Sequence, residues 1–175
     1  MMSQPATEPR PGLVHYAFTF LVSVLLWLLL VGNLHPQELI VGVVVALLVT
    51  VLAAPHLGIF TGLRFTIAAP AALLRYLGRF AVALIRSNVD VARRVLSPSL
   101  PIRPAVVEVK TGLQSALGRL MLANSITLTP GTLVVDVNDD RLFVHWIDCP
   151  PGTDLAAATR VIASDFERDL KGFLK

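Results

Sequence analysis

The chain has 175 residues, enough for one ordinary domain, with a mean hydropathy of +0.69, 54% hydrophobic residues and 15% charged ones. A soluble globular chain carries roughly 25% charged residues, so this composition excludes a disordered protein and argues against a wholly soluble one. The net charge is +3, yet the basic residues neither cluster in a run nor alternate with stacking aromatics, so no nucleic-acid partner is expected.

The charges divide the chain. Residues 1–85 hold four Lys/Arg and two acids, whereas residues 86–175 hold eleven and ten. The basic excess is therefore read as a membrane-topology signal on a chain with an apolar half and a water-compatible half. A single cysteine, Cys149, excludes an intrachain disulfide.

After a tail over residues 1–12 comes a charge-free stretch whose core, Leu13–Gly32, supplies the roughly 20 apolar residues needed to cross a bilayer. It exceeds a signal-peptide core and no small-residue cleavage site follows, so a retained helix is expected over 13–34. A short polar break containing Pro36 separates it from a second apolar run, Leu39–Ala54, which Leu57–Phe60 can extend beyond Pro55 to give a helix over 38–60. The short connection implies a helical hairpin. Gly42, Ala46 and Thr50 share one face at spacings of four, a pattern that admits close helix approach.

The third segment, 65–96, completes a membrane half over 13–97. Arg75, Arg79, Arg86 and Arg93 fall within about 40° of one another on a helix, with Asp90 beside them. An arginine at the bilayer midplane costs about 2.5–3.5 kcal/mol, which excludes a lipid-facing stripe on a spanning helix. Two placements stay open: the helix lies along the interface with its arginines toward anionic head groups, or it crosses with the stripe against a partner protein. Pro70 is expected to kink it. No Asp or Glu occurs between Glu38 and Asp90, so the chain offers no carboxylate for a cation path at membrane depth.

Three prolines within residues 98–104 mark a linker before a domain at 105–175. Val106, Val107 and Val109 read as a strand. Thr111 and Gln114 have capping-box spacing before a helix of about 12 residues carrying Leu113, Leu117, Leu120 and Met121. Pro130-Gly131 suits a type II turn, opening a strand in which Leu133, Val135 and Val137 alternate with Val134 and Asp136. Asn138-Asp139-Asp140 then turns into a return strand, Leu142–Ile147. A single last helix follows, capped by Thr153 or Asp154, with Leu155, Thr159, Ile162, Phe166, Leu170 and Phe173 on its buried face. The fold class is thus an α-helical membrane half of two or three transmembrane helices plus a small α+β domain of order β-α-β-β-α, with a three-stranded mixed sheet. So small a sheet leaves open edges, and docking onto another protein is expected.

No catalytic constellation emerges. His145 and Cys149 are too far apart along a strand to serve as base and nucleophile, and with Asp148 they make a poor metal site. The Pro130-Gly131 turn opens a strand, so it is no phosphate loop. Capping and turn bonding account for Ser125, Thr127 and Thr129. No enzyme activity, cofactor or metal is expected. Arg86, Arg93, Arg94 and Arg103 place the C-terminal domain in the cytoplasm; Arg10 favours a cytoplasmic N-terminus and hence two crossings, whereas three would put it outside.

The run LANSITLTPGTLVVDV (Leu122–Val137), followed by LFVHWID (Leu142–Asp148), resembles the signature of the E-type subunit of the Mrp/Mnh-type multisubunit cation/proton antiporters. SNVDVARRVLSPSLPIRP (Ser87–Pro104) is similar to the same family's linker. The likeness covers most of residues 65–150 and singles out Asn124, Ser125, Thr127, Leu128, Thr129, Pro130, Gly131, Thr132, Asp136, His145 and Trp146 as motif residues. It implies a small accessory subunit in the bacterial plasma membrane, its partners being the other membrane subunits of a sodium/proton antiporter, with the transport residues in those larger subunits. Arg75, Arg79, Arg86 and Arg93 are the expected contacts to partner or lipid. The rival reading is a membrane-anchored α/β binding module unrelated to ion transport, whose arginine stripe binds anionic lipid.

Overall fold

A computed structural model describes residues 11–175, so Arg10 and all of the expected tail but Pro11 and Gly12 lie outside the described residues. The chain forms two compact units, one ending at Thr61 and one running from Gly62 to Lys175.

The first unit is a pair of helices, α1 (Leu13–Val31) and α2 (Pro36–Ala53), the second continuing as a 3₁₀ segment over Ala54–Gly62. Gly32, at φ 70°, closes α1 in the left-handed conformation that glycine adopts freely. Pro36 opens α2 in its first turn, where its missing N–H removes no intrahelical bond. The buried residues of α2 are Gly42, Ala46 and Thr50. A Cβ at Gly42 would sit 2.5 Å from Trp27 Cδ1, so only glycine lets the indole lie against the α2 backbone. Trp27 Nε1 then donates to the Glu38 carbonyl at 3.1 Å, and the Thr50 hydroxyl donates to the Ala46 carbonyl at 2.7 Å. Leu13–Val31 and Pro36–Gly62 are both long and apolar enough to cross a membrane. Their outward side chains, Leu29, Leu30, Leu48 and Val51 among them, are exposed aliphatics, as helices surrounded by lipid require.

The second unit is built from α3 (Ala69–Leu96), β1 (Ala105–Lys110), α4 (Ala116–Leu128), β2 (Thr132–Asn138), β3 (Arg141–Trp146), α5 (Leu155–Ile162) and α6 (Ser164–Leu170). After α3 the order is the expected β-α-β-β-α with one more helix, but the sheet is wholly antiparallel, ordered β1-β3-β2, and not mixed. β1 and β2, joined through α4, do run parallel; the β2–β3 hairpin places β3 between them, so each pairs antiparallel with β3.

A bulge at Val135 changes the expected alternation in β2. Leu133 pairs with His145, and Asp136 pairs with Phe143, both on the outer face, while Val137 lies opposite buried Leu142. The extra residue keeps the Asp136 carboxylate out of the core. Asp139, at φ 51°, turns the hairpin, a conformation that Asp tolerates better than most residues.

Three other expectations are corrected. The α4 N-cap is Ser115, whose hydroxyl accepts from Gly118 N, and not Thr111; Thr111 is buried and its hydroxyl accepts from Leu113 N, because β1 has only just ended there. The last helix is two, broken at buried Ala163, where φ of −113° departs from helical values; the break turns Phe166 and Leu170 into the core while Leu155 stays exposed. Pro70 lies in the first turn of α3, where it starts the helix and introduces no kink.

The core of this unit packs Val109, Leu142 and Val144 of the inner sheet face against Leu122 and Ile126 of α4, Ile162 and Phe166 of the last helices, and Ala72 and Tyr76 of α3. Tyr76 meets Phe173 edge-on at 5.9 Å. The final residues return to the start of the unit: Leu174 bridges Leu63, and Lys175 N donates to the Gly62 carbonyl at 2.9 Å.

Candidate functional site

The motif run folds as the end of α4 and the turn into β2, with every hydroxyl committed. Ser125 Oγ donates to the Met121 carbonyl at 2.6 Å, so the Tyr76 hydroxyl, 2.8 Å away, is the donor in their mutual bond and ties α3 to α4. Thr129 donates to the Ser125 carbonyl at 2.8 Å, and Thr132 reaches the Ile126 and Thr129 carbonyls at 2.7 and 2.9 Å. Thr127 accepts from Val134 N at 3.1 Å, stitching the helix end to the strand it feeds. These bonds satisfy carbonyls that a helix end leaves orphaned.

Pro130-Gly131 makes the turn, with Thr132 N donating to the Thr129 carbonyl at 3.3 Å and Gly131 at φ 96°. A Cβ on Gly131 would also lie 3.2 Å from Ile147 Cγ2. Gly131→Val is therefore expected to lower stability by about 1 kcal/mol or more, read as a lower unfolding midpoint of the detergent-solubilised chain.

Not all the motif is consumed in this way. Asn124 and Leu128 are exposed on α4. Trp146 packs against the core, whereas His145 lies on the opposite face of β3, flanked by Val106 and Leu133. Asp136 accepts from Val137 N at 2.9 Å.

Beside the turn is a cavity of about 300 Å³ lined by Thr129–Thr132, Trp146–Asp148, the start of α6 and the inner edge of α3. Arg79 and Arg94 meet Asp90, Asp148 and Asp165 on its wall, to which exposed Arg86 also contributes. Arg79 Nε donates to Asp169 at 2.5 Å, with Asp165 at 3.7 Å, and Asp169 is buried. Arg94 bridges Asp90 at 2.8 Å and Asp148 at 2.6 Å; Arg103 holds the other oxygen of Asp148 at 2.8 Å. Among the described residues no group of three His, Cys, Asp or Glu could hold a metal ion.

Arg103, then Arg94, hold the Asp148 carboxyl below the usual carboxylate range. At Glu167 burial raises the pKa, but Lys171, the Gly112 N–H and Thr111 outweigh it and the net shift is downward. A depressed folded pKa contributes stability above the unfolded value, about 3.9 for Asp and 4.3 for Glu, which is lost as pH falls through the folded value. The melting temperature should thus hold between pH 7 and about 5 and drop below about 4, with part of the drop removed in Asp148→Asn.

Of the four arginines singled out in sequence, the structure gives Arg79 an internal counter-charge. Arg75, Arg86 and Arg93 are exposed and, among the described residues, form no ion pair. Arg94 and the aspartates at 148, 165 and 169 were not legible as a set. Asp165 and Asp169 are four apart on one helix, a signal for a basic partner, but that partner lies 90 residues away.

The sequence model of the Na+/H+ ion antiporter subunit family (MNHE) matches residues 20–172. The chain belongs to this family. The match extends well beyond the motif, into the C-terminal helices. The E1 subunit of the Na(+)/H(+) antiporter of Staphylococcus saprophyticus is 33% identical over 137 residues, covering 75% of this chain and 83% of that protein. The E-type Na(+)/H(+) antiporter subunit of Bacillus subtilis is 42% identical over 94 residues, covering 53% of this chain and 58% of the relative. A chain in the structure of the membrane-bound sulfane sulfur reductase, an archaeal respiratory membrane complex, superposes with a TM-score of 0.77 at 38% identity, covering 90% of this chain and 97% of that one. The MNHE fold therefore comprises both the helix pair and the α/β unit.

Proposed function

We propose that this MNHE chain is an accessory component of a multisubunit monovalent cation/proton antiporter, serving assembly or stability of the complex and not the ion path, with its second unit in the cytoplasm. The observation that carries this reading is the lack of any Asp or Glu between Glu38 and Asp90: the second spanning segment has its one carboxylate in its first turn and the first has none. An exchanger must bind cation and proton at depth, whereas the acidic and histidine side chains of these segments, His15, Glu38 and His56, lie toward the segment ends and not at their centres. The likeness to a chain of a respiratory complex supports the same division of labour, since two complexes of different chemistry would share a scaffold and not a reaction centre. Docking is served by the outer sheet face, where Val106, Leu133 and Val135 are about half exposed around His145 and Phe143. Arg86, Arg93, Arg94 and Arg103 support the cytoplasmic placement.

The test combines side and assembly. Arg160→Cys in a Cys149→Ser background should resist a membrane-impermeant maleimide in intact cells and react after lysis; labelling of intact cells would overturn the orientation. Deleting this chain should lower the yield of the intact complex recovered on another of its components, and an undiminished yield would overturn the assembly role.

A further inference from the structure

Among the described residues of its own unit, the outer face of α3 has no partner. Its inner face is covered from end to end by the unit's own fold: Ala72 lies against Gly172, Tyr76 bonds Ser125, Arg79 pairs with Asp169 and Arg94 with Asp148. Leu74, Leu77, Ile85, Val89 and Leu96 occupy an arc of about 120° on the opposite side, and Leu74, Ile85 and Leu96 are 70%, 65% and 83% exposed. Arg75, Arg86 and Arg93 lie within about 20° of one another at one border of that arc.

A third crossing does not fit this arrangement. Inserting α3 across a bilayer would draw Asp148, Asp165 and Asp169 with their domain into hydrocarbon. Water alone does not fit either, because an aliphatic arc along a 28-residue helix, interrupted by Asn88, is far larger than the scattered exposure of a soluble surface.

Covalent continuity and charge select the membrane surface. Only six residues separate Gly62, at the end of the second spanning segment, from Ala69, a reach of about 25 Å at most. Ile67 within that connection is 102% exposed. The three arginines are spread over 18 residues, about 27 Å of helix, and so match a plane of anionic groups better than a single acidic spot.

We propose that α3 lies in the membrane–water interface, its apolar arc among acyl chains and Arg75, Arg86 and Arg93 on the phosphodiester head groups of anionic lipid. This placement needs the helix pair to be membrane-inserted but does not depend on the antiporter reading, and its test involves no transport.

The full chain, in a Cys149→Ser background with an environment-sensitive fluorophore at Ile85→Cys, is reconstituted into phosphatidylcholine vesicles with and without phosphatidylglycerol. Quenching by acyl-brominated lipid should exceed that of the same fluorophore at Arg160→Cys by about twofold or more, and should rise with phosphatidylglycerol. Replacing Arg75, Arg86 and Arg93 together by Gln should abolish the rise; the comparison of lipid compositions in the parent chain decides the matter should that variant not fold. Quenching of the Ile85 position by aqueous iodide in place of brominated lipid would overturn the proposal. So would loss of lipid quenching once the other subunits are co-reconstituted, since that face would then be covered by protein.

Discussion

Arg79→Met should destabilise the full chain by about 3 kcal/mol, because it strands the Asp169 carboxylate, whose side chain is only 5% exposed, without its counter-charge. The converse replacement, Asp169→Asn, should cost less, about 1–2 kcal/mol. In that variant Arg79 keeps water, with 36% of its side chain exposed, and keeps Asp165 at 3.7 Å. Denaturant unfolding of the detergent-solubilised protein distinguishes the two. Equal losses, or a larger loss for Asp169→Asn, would mean that the pair is hydrated and contributes little to holding α3 on its domain.

Gly42→Leu should have its effect in the helix pair. The Cβ alone would enter the Trp27 ring at 2.5 Å, so α1 and α2 must separate or the indole must leave, breaking its bond to the Glu38 carbonyl. Overpacking of this kind costs about 1–3 kcal/mol, and within a membrane the helices gain no compensating hydrophobic term by staying together. Cross-linking between cysteines placed on the facing sides of α1 and α2 should fall sharply in Gly42→Leu and remain in Gly42→Ala at a reduced level. Unchanged cross-linking would show that the pair does not depend on the Trp27–Gly42 contact.

How much of this was legible in the sequence follows from how local each cause is. The helix pair, its small-residue face and the Pro130-Gly131 turn rest on residues a few positions apart, and the folded chain uses them as their chemistry suggests. The antiparallel sheet was misread because the β-α-β step looks the same whether or not a later strand enters the gap; that β3 does so is a long-range choice. The α4 cap moved from Thr111 to Ser115 because Thr111 N is needed by the Asp140 carbonyl at the end of the sheet. The arginine stripe was visible as a stripe, but its division was not. Arg79 turns inward because Asp169, 90 residues later, is buried beneath it, while among the described residues Arg75, Arg86 and Arg93 form no ion pair. Of the motif hydroxyls, Thr129 bonds a helix-end carbonyl as its chemistry suggests, whereas Ser125, inside α4, bonds the Met121 carbonyl and Tyr76 of α3, and Thr127 accepts from Val134 N of the next strand. Asn124 and Leu128 of the motif stand exposed on α4.

Everything turns on where the ion path lies. The purified chain, reconstituted alone into vesicles carrying an imposed pH gradient, should collapse that gradient no faster on addition of sodium or potassium than empty vesicles do, while the assembled complex containing it does so readily. Sodium- or potassium-dependent proton exchange by the lone chain would contradict the accessory role, because it would require a cation site at a depth where these helices carry no carboxylate.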